Sequence, residues 1–391
     1  MRIRSPLTIF SLWLVKRQAL DSSLVAGENL KTLREKVWLR SRLAALFGLL
    51  FSLVAFISAG EDKGFMVGLS NGPFTHSWRV EMLESLQKQF DAYREKGWAS
   101  KLIVQNAGPD VNTQIAQIRN LIASKVNLLL VNPNSATALT PVLTEAVNAG
   151  ITVIVYDQPT RVPPGALNIY MNQAWWQSPI TEWLCKQLNG KGNIVYISGI
   201  ADQPGNIARD KAAMDTLSKY PDVKLLTKAN GNWDQAAAQQ VMTDVLGSFP
   251  NIDGVLTQDG MTLGIIRAFQ AGGKKLPPVT GETQVAFIKE WKKMKDANGF
   301  STIGIENSPG AVCTALGIGI RLLQGKHLKP DVLINPDTGK PAAGATTVWT
   351  HPSLQVDNSN VDKIYDEYRD WADSYYVNTW YTEDQIDALF Q

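Results

Sequence analysis

The candidate binding residues of this chain are mostly planar side chains with two hydrogen-bonding atoms, interspersed with aromatic rings. They stand beyond short apolar runs, where buried strands would end. Such groups suit hydroxyls, which both donate and accept hydrogen bonds, and aromatic faces cover apolar C–H surface. The pattern predicts a site for a sugar or polyol rather than for a phosphate, which would need glycine-rich loops and lysine. The candidates are Phe74, Trp78, Arg79, Asp157, Gln158, Arg209, Trp233, Gln258, Asp259, Glu282 and Glu306.

Motifs for catalysis are scarce in this sequence. It contains no HExxH, P-loop or GxGxxG segment. The three histidines, His76, His327 and His351, stand in unrelated contexts. We therefore predict neither a metal site nor a cofactor, and a binding protein rather than an enzyme. A secreted glycoside-acting enzyme with Asp157 and Glu282 as paired carboxylates remains an alternative, because the sequence does not give their separation.

The N-terminal 60 residues differ in character from the rest of the chain. They hold nine lysines and arginines against three acids, so the remainder is slightly acidic and gives no reason to expect a nucleic-acid partner. Residues 43–57 carry no charge and are followed by Ser58-Ala59-Gly60. This arrangement is typical of a secretory signal peptide, cleaved near Ala59 or Gly60. A membrane anchor is the alternative, but the apolar segment is shorter than the ~20 residues of a membrane span.

The predicted signal segment, near residues 37–60, places the mature protein in the periplasm. Residues 1–36 are longer than the n-region that ordinarily precedes the apolar segment of a signal peptide. Translation starting near Val37 or Leu39 would explain this extra length. Cys185 and Cys313 each stand in an apolar helical segment, and no CxxC occurs. Buried thiols are the simpler interpretation, although export would also permit a disulfide.

From residue 64 onward, short apolar runs alternate with amphipathic stretches of helical length. Several runs are typical of buried parallel strands, among them VNLLLVNP (126–133), ALNIYMN (166–172), PPVTGE (277–282) and FSTIGIE (300–306). The stretch 78–95 has helical length, and the stretch 136–149 also has helix start and stop signals in the expected order. Two such series follow each other. They predict an α/β fold of two doubly wound, parallel-sheet lobes, with ligands binding at the carboxyl ends of the strands.

The predicted domain organisation interleaves the two lobes. Residues 1–60 form the N-terminal extension and signal peptide. Residues 61–172 and 308–345 are assigned to the N-terminal lobe, and residues 173–307 and 346–391 to the C-terminal lobe. Within these, the segment from Leu328 to Ala345 is expected to be an extended surface excursion, and the C-terminal segment is expected to be a packed helix followed by a tail.

Over residues 64–325, this sequence resembles the type I periplasmic sugar-binding proteins of ABC importers, the ribose- and galactofuranose-binding group. The stretches that carry the resemblance are SNGPFTHSWR, VNLLLVNPNSATALTPVLTEAVNAGITVIVYDQP, GNIARDKAAMD, GNWDQAAAQQVMTDVLGSFPNIDGVLTQDGMTLGIIRAF and VTGE.

In the first lobe, the resemblance implies that Phe74 stacks on the sugar from the first loop. Trp78 and Arg79 match a Trp-Arg pair that touches the sugar in some members. Asp157 matches the acid after the fourth strand. Gln158 stands where the family usually has arginine, so the resemblance does not carry over the ligand of a particular relative.

In the second lobe, Arg209 matches an arginine of the family pattern. Trp233 stands where an aromatic ring stacks on the ligand, and the pair Gln258–Asp259 matches an amide–acid pair. Glu282 replaces the usual aspartate with a side chain one methylene longer. Glu306 corresponds to the last polar contact of the family.

The resemblance further implies a monomeric protein that closes on its ligand and docks on an ABC permease. Three chain crossings, near 173, 307 and 345–355, would form the hinge. An exported sensor that presents its ligand to a chemoreceptor or kinase would use the same pocket and remains the alternative. A repressor's effector domain shares the fold, but an apolar export segment stands where its DNA-binding helices would be.

Overall fold

The computed structural model describes residues 64–72, 77–350 and 354–391. Residues 63–391 form one compact unit. The predicted signal segment and Phe74 lie outside the described residues. Within the described residues, no helix combines the length and the apolar character needed to cross a membrane.

Strands and helices alternate along most of the chain. The strands are β1 (Phe65–Asn71), β2 (Ala99–Asn106), β3 (Leu128–Val131), β4 (Thr152–Tyr156), β5 (Ala166–Met171), β6 (Gly192–Ser198), β7 (Val223–Asn230), β8 (Gly254–Thr257), β9 (Gly304–Ile305), β10 (Ile334–Asn335), β11 (Lys340–Pro341), β12 (Thr347–Thr350) and β13 (Gln355–Val356). The helices are α1 (Ser77–Glu95), α2 (Val111–Ala123), α3 (Thr140–Asn148), α4 (Gln173–Gln187), α5 (Pro204–Leu217), α6 (Gln235–Ser248), α7 (Thr262–Ala271), α8 (Val285–Asn298), α9 (Ala311–Leu323), α10 (Val361–Tyr368) and α11 (Glu383–Asp387).

The first lobe is built on an eight-stranded sheet in the order β11-β10-β12-β5-β4-β3-β1-β2. Strands from β12 to β2 pair in parallel, and β10 and β11 add an antiparallel edge. Strand β3 shows why the sheet is covered on both faces. Leu128 and Leu130 pack into the core beneath α1 and α9, whereas Leu129 and Val131 pack beneath α2 and α3. A strand with two buried faces must be apolar throughout, as β3 is.

The second lobe is built on the parallel sheet β7-β6-β8, with β9 and β13 as a separate antiparallel pair. The predicted strand over residues 277–282 reduces to one parallel bridge, from Val279 to Val255. Pro277 and Pro278 have no N–H to donate, so the Thr280 amide carries the bond to the Val255 carbonyl at 3.1 Å. The two lobes together form the predicted α/β architecture of two parallel-sheet lobes in one chain.

The C-terminal assignment differs from the sequence prediction. Strand β12 pairs in parallel with β5 of the first sheet, whereas the sequence pattern assigns residues 346–391 to the second lobe. The predicted excursion from Leu328 to Ala345 contains the β10–β11 hairpin. Helix α10 is shorter than expected, and residues 383–391 pack on the first lobe through Ile386 and Phe390. The period of two in the apolar pattern shows that a strand exists but not which sheet receives it.

The segment between α10 and α11 runs across both lobes, and we call residues 373–382 the C-terminal strap. Its first half pairs with the second lobe, where Val285 N–H donates to the Tyr375 carbonyl at 2.8 Å and Val377 N–H to the Thr283 carbonyl at 2.9 Å. Its second half contacts the first lobe, where Tyr381 N–H donates to Thr314 Oγ1 at 3.1 Å. The chain therefore crosses between the lobes once more than the sequence predicted.

Cys185 lies in α4 of the second lobe and Cys313 in α9 of the first, and both thiols are free and buried. The prediction of two buried thiols is confirmed. Burial raises the pKa of Cys185 to about 11 and also raises the pKa of Cys313. Both side chains are therefore small apolar core groups rather than nucleophiles.

Candidate functional site

A cavity of about 480 Å³ lies between the lobes, where the carboxyl ends of the strands face each other. The first lobe contributes the first turn of α1 and the residues after β4. The second lobe contributes α4, α5 and the loops before α6 and after β8. Its lining residues are Trp78, Arg79, Asp157, Gln158, Gln173, Gly205, Arg209, Trp233, Asp259, Asn307 and Tyr376.

The lobes are closed around this cavity. Gly205 N–H in the second lobe donates to Gln158 Oε1 in the first at 3.2 Å. Gln284 Nε2 in the second lobe lies 3.3 Å from Ser77 Oγ in the first. A ligand in the cavity would be enclosed on both sides, so it would have to enter before these contacts form.

The first-lobe wall presents a buried cation close to an acid. Arg79 Nη1 donates to Asn71 Oδ1 at 2.9 Å, whereas its Nε has no acceptor among the described residues. Asn132 Nδ2 donates to Asp157 at 3.1 Å. Burial lowers the pKa of Arg79, and the nearby charge of Asp157 opposes that shift. A buried N–H without a partner is costly, so the Arg79 Nε points to a ligand acceptor.

Asp157 adopts a left-handed backbone with φ of 73°. This conformation is uncommon for a residue other than glycine, although aspartate and asparagine adopt it more readily than most. Backbone strain of this kind collects at functional sites. Here it turns the chain out of β4 at the edge of the cavity.

The second-lobe wall is a hydrogen-bonded network around Arg209. The guanidinium donates to Asp259 Oδ2 at 2.7 Å and to Gln173 Oε1 at 2.6 Å, and its centre lies 3.8 Å from the Trp176 ring. Asn307 Nδ2 also donates to Asp259 Oδ2, at 3.0 Å. In the described part of the chain, Asp259 Oδ1 has no partner. Arg209 is therefore held by two hydrogen bonds and a ring contact, and Asp259 retains one buried acceptor for a ligand.

Two tryptophans bound the cavity with their N–H groups already engaged. Trp78 Nε1 donates to the Asn307 carbonyl at 2.8 Å, and Trp233 Nε1 to Gln258 Oε1 at 2.7 Å. Asn232 and Trp233 both adopt left-handed backbones, with φ of 60° and 54°. A Cβ at Gly199 would lie 2.2 Å from the Trp233 ring, so this glycine allows the ring its position. With their polar edges occupied, both rings can offer only apolar faces.

Three predicted residues do not line this cavity. Gln258 accepts from Trp233 and donates to Tyr196 at 2.5 Å and to Asn206 at 3.0 Å. Glu306 accepts from Thr379 N–H at 2.7 Å and from its hydroxyl at 3.0 Å. The Gln258 carboxamide and the Glu306 carboxylate therefore hold neighbouring residues in place instead of lining this cavity.

The third, Glu282, is fully buried behind the loop that carries Asp259. Its carboxyl accepts from the backbone N–H of Gly260, with those of Met261 and Thr262 close by. Burial, followed by the charge of Asp259, raises the pKa of Glu282 to about 8. Glu282 thus fixes the loop before α7 and is protonated at neutral pH.

The predicted residues that do line the cavity are Trp78, Arg79, Asp157, Gln158, Arg209, Trp233 and Asp259. Sequence reasoning did not select Gln173, Gly205, Asn307 or Tyr376. Asn307 is a polar residue directly after the last predicted strand, and that position could have identified it as a site residue. Tyr376 stands far along the chain in a segment expected to be helix, and no local pattern marks it.

The charges on the cavity wall balance. Two arginines and two aspartates line it, and the nearby Glu282 is neutral at pH 7. No group of three or more histidine, cysteine or acidic side chains that could hold a metal ion occurs among the described residues. Since Glu282 is outside the cavity, the proposed pair of Asp157 and Glu282 does not face a common space.

Residues 68–72 read GLSNG, which has the G-x-S-x-G spacing of a nucleophile elbow. Ser70 is fully buried within β1, where it pairs in register with Gln105 of β2 and Val131 of β3. A nucleophile elbow instead exposes its serine on a turn that follows the strand. Residues 68–72 therefore have the spacing of a nucleophile elbow but not its geometry.

A second cavity of about 470 Å³ adjoins the first and shares Asp157 and Asn307 with it. It lies beside the N-terminus of α9 and the strap. Its polar groups already serve the fold, as Glu306 does with Thr379 and Thr314 with Tyr381. It is a less suitable place for a ligand than the first cavity.

Known proteins that are similar to this chain are periplasmic binding proteins or proteins named for binding sugars or polyols. A family model described as a periplasmic binding protein domain matches residues 67–327. The xylitol-binding protein of Mycolicibacterium smegmatis is 30% identical over 263 residues, which cover 67% of this chain and 70% of that protein. The multiple sugar-binding periplasmic receptor ChvE of Rhizobium radiobacter is 28% identical and covers 56% of this chain and 68% of the receptor.

Among solved structures, an ABC transporter solute-binding protein from Thermobispora bispora superposes with a TM-score of 0.73 at 26% identity. The superposition covers 83% of this chain and 94% of that one. The likeness therefore includes both lobes as well as their arrangement around the cavity.

Proposed function

This chain belongs to the periplasmic binding protein family, and we propose that it binds a neutral sugar or polyol between its lobes and delivers it to the permease of an ABC importer. The observation that carries the proposal is the enclosed cavity with balanced charges between two indole rings. A sugar acid or an amine would leave a net charge buried there, which is costly unless it is paired. A neutral polyhydroxyl molecule would bury no net charge in the cavity.

The two unpartnered atoms suggest how such a ligand is held. One hydroxyl can accept from Arg79 Nε, and another can donate to Asp259 Oδ1. The faces of Trp78 and Trp233 would cover the C–H surface of the ligand. Buried hydrogen bonds with this packing are consistent with micromolar or tighter binding, about −8 kcal/mol.

Closure would make the ligand part of the lobe interface. The ligand favours the closed state only through contacts that the open state lacks. Arg79 and Asp259 reach the cavity from different lobes, so bonds to both can form only when the lobes are together. The closed form would then be the one that a permease recognises.

The carboxylates in this scheme accept hydrogen bonds and take no part in bond cleavage. The relatives are substrate-binding proteins rather than enzymes. We further propose that the protein is exported to the periplasm through the segment near residues 37–60 and works as a monomer. N-terminal sequencing of the exported protein should give a first residue at 60 or 61, and retention of residues 43–57 would contradict cleavage.

A thermal-shift screen over pentoses, hexoses and polyols tests the proposal. Xylitol belongs in the panel because a relative is named for binding it. A true ligand stabilises the folded state by mass action and raises the melting temperature in proportion to the logarithm of its concentration. Titration calorimetry then gives the dissociation constant. No shift across the neutral panel would contradict the proposal, and a shift with sugar acids alone would contradict the charge argument.

An exported sensor is the second candidate, favoured by the similarity to the receptor of Rhizobium radiobacter. The same cavity would serve, and only the partner would differ. Reconstitution with candidate permeases in proteoliposomes separates the two. Ligand-dependent stimulation of ATP hydrolysis supports delivery to an importer, whereas its absence with every sugar-importer permease of the same organism favours sensing.

A further inference from the structure

We propose that the C-terminal strap is a fourth hinge segment, and that it brings Tyr376 into the cavity as a ligand-contacting residue that limits which ligands fit. The role of Tyr376 rests on the proposed function, because it needs a ligand in the cavity. The hinge role of the strap does not depend on that function. It concerns a segment that follows the family match, which ends at residue 327.

The strap is fixed to the second lobe by its backbone. Ala286 N–H donates to the Asp373 carbonyl at 3.1 Å, and Val285 N–H to the Tyr375 carbonyl at 2.8 Å. Gln284 and Tyr376 form an antiparallel bridge. The backbone on either side of Tyr376 is therefore attached to the second lobe.

From Tyr376 N–H onward, the strap is also bonded to the first lobe and to the predicted hinge crossing near residue 307. Glu81 of α1, 3% exposed, accepts from Tyr376 N–H at 2.8 Å and from Asn378 Nδ2 at 2.9 Å. Gly310 N–H donates to Asn378 Oδ1 at 2.7 Å. Thr379 donates through both N–H and hydroxyl to Glu306. The strap thus runs beside the crossing over residues 306–310 and is hydrogen-bonded to it.

The far end of the strap cannot slip, because α11 anchors it. Arg321 of α9, 2% exposed, donates to Glu383 at 2.7 Å and to Asp387 at 3.1 Å. Tyr93 of α1 also donates to Glu383, at 2.8 Å. A segment fixed at both ends and bonded to the hinge must rotate with it during opening.

Tyr376 occupies the point where the strap meets the cavity. Its side chain lines the cavity and is 3% exposed. Its N–H donates to Glu81 of the first lobe at 2.8 Å, and a Cβ at Gly260 of the second would lie 3.2 Å from its hydroxyl. The ring therefore fills space beside Asp259 that a larger ligand would need, and Tyr376 contacts both lobes in this closed form.

Ligand binding tests the role of Tyr376, with its neighbour as the matched control. Tyr375 donates its hydroxyl to Glu84 at 2.6 Å outside the cavity. We expect Tyr376→Phe to raise the dissociation constant of the best ligand by up to about tenfold, the effect of one hydrogen bond. We expect Tyr376→Ala to weaken that ligand further while improving the relative affinity for larger sugars. Tyr375→Phe should stay within about twofold of wild type, as expected away from the site.

Wild-type affinity and ligand preference in both Tyr376 variants would overturn the proposal, and so would equal losses in Tyr376→Phe and Tyr375→Phe. The conservative Tyr376→Phe variant keeps the test valid if Tyr376→Ala does not fold. A wild-type protein that binds no sugar would instead contradict the proposed function.

Amide hydrogen exchange tests the hinge role without any ligand. The N–H groups of residues 376, 377, 379 and 381 are all hydrogen-bonded, so they should be protected in the ligand-free protein. Glu81→Gln should lower that protection around residues 376–378, while β3 keeps its protection. Free exchange of the strap amides in wild type, with and without sugar, would overturn the fourth hinge segment.

Discussion

At the scale of single residues, the two cavity arginines play different parts. Arg209 has its donors directed at Asp259 and Gln173 and its flat face on Trp176, so it organises the second-lobe wall. Arg79 keeps one buried donor without a described partner. Both could be selected from the sequence because each follows a predicted strand end, but their division of labour depends on contacts that no spacing reveals.

Trp233→Ala is expected to weaken ligand binding by tenfold or more, about 1.4 kcal/mol, because the stacking face is lost. The ring is only partly buried, so the free energy of unfolding should change little by comparison. Titration calorimetry and thermal melts measure the two effects. Trp175→Ala, which removes a 38% exposed indole outside this cavity, is the control. Equal affinities for all three proteins would remove Trp233 from the site.

Asp157→Asn is expected to fold normally and to bind its ligand at least tenfold more weakly. Asparagine tolerates the left-handed backbone of position 157, whereas alanine would add strain there. The substitution removes one negative charge from the wall beside Arg79, so the cavity becomes cationic. Calorimetry measures the affinity, and the Asp157→Ala variant should lose both affinity and melting temperature. An Asp157→Asn protein with wild-type affinity would contradict this role.

Glu282 is expected to make stability depend on pH. Its folded pKa is raised from 4.5 to about 8, so between these values the folded protein retains a proton that the unfolded chain releases. The free energy of unfolding therefore falls as pH rises through this window. Glu81, with its pKa raised by burial to about 7, acts in the same direction.

Thermal melts from pH 5 to pH 9 of wild type and Glu282→Gln isolate the contribution of Glu282. The variant should lose less stability than wild type as pH rises, and the difference should build up between pH 5 and pH 8 and level off above it. Parallel curves for the two proteins would show that Glu282 does not titrate in this window.

At the scale of elements, the sequence predicted best where local signals and tertiary structure agree. The predicted helix over residues 78–95 is α1, 77–95, and the predicted strand over residues 166–172 is β5, 166–171. Each is bounded by turn residues and has one consistent periodicity. The short strand β9, 304–305, was expected to be longer because an apolar run shows burial but not pairing.

The C-terminal strap takes its conformation from residues that are distant along the chain. Residues 373–382 have neither a strand nor a helix periodicity of useful length, and their partners stand about 70 to 300 residues away along the chain. Their conformation is fixed by Glu81, Glu306 and the backbone of residues 283–286. Such a segment follows tertiary contacts rather than its own propensity.

Two glycines on neighbouring elements should respond to alanine in opposite ways. Gly199→Ala would drive a methyl group into the Trp233 ring, whose backbone has little freedom, so binding should weaken at least tenfold. Gly247 lies exposed in α6 with open space around its Cβ position. Gly247→Ala should therefore stabilise the protein by about 0.5–1 kcal/mol and leave binding unchanged. Calorimetry and denaturant titration measure both, and unchanged affinity in Gly199→Ala would contradict the contact.

At the scale of the whole molecule, ligand binding is expected to compact the protein. The contacts between Gly205 and Gln158 and between Gln284 and Ser77 join the lobes only when the cleft is closed. Small-angle scattering should therefore show a smaller radius of gyration with a saturating sugar than without it. Gln158→Ala removes one closing contact and should shift the ligand-free protein toward the open state. Identical scattering with and without a bound ligand would contradict closure.

The separation of Cys185 and Cys313 gives each lobe an intrinsic reporter of its own opening. The two thiols are buried in different cores and are the only cysteines in the sequence. A thiol reagent can modify each one only when its lobe unfolds, so labelling rates read by mass spectrometry give two local stabilities from one native protein. If sugar protects both thiols equally, the lobes unfold as one cooperative unit. If it protects them unequally, the lobes are separate folding units joined by the hinge.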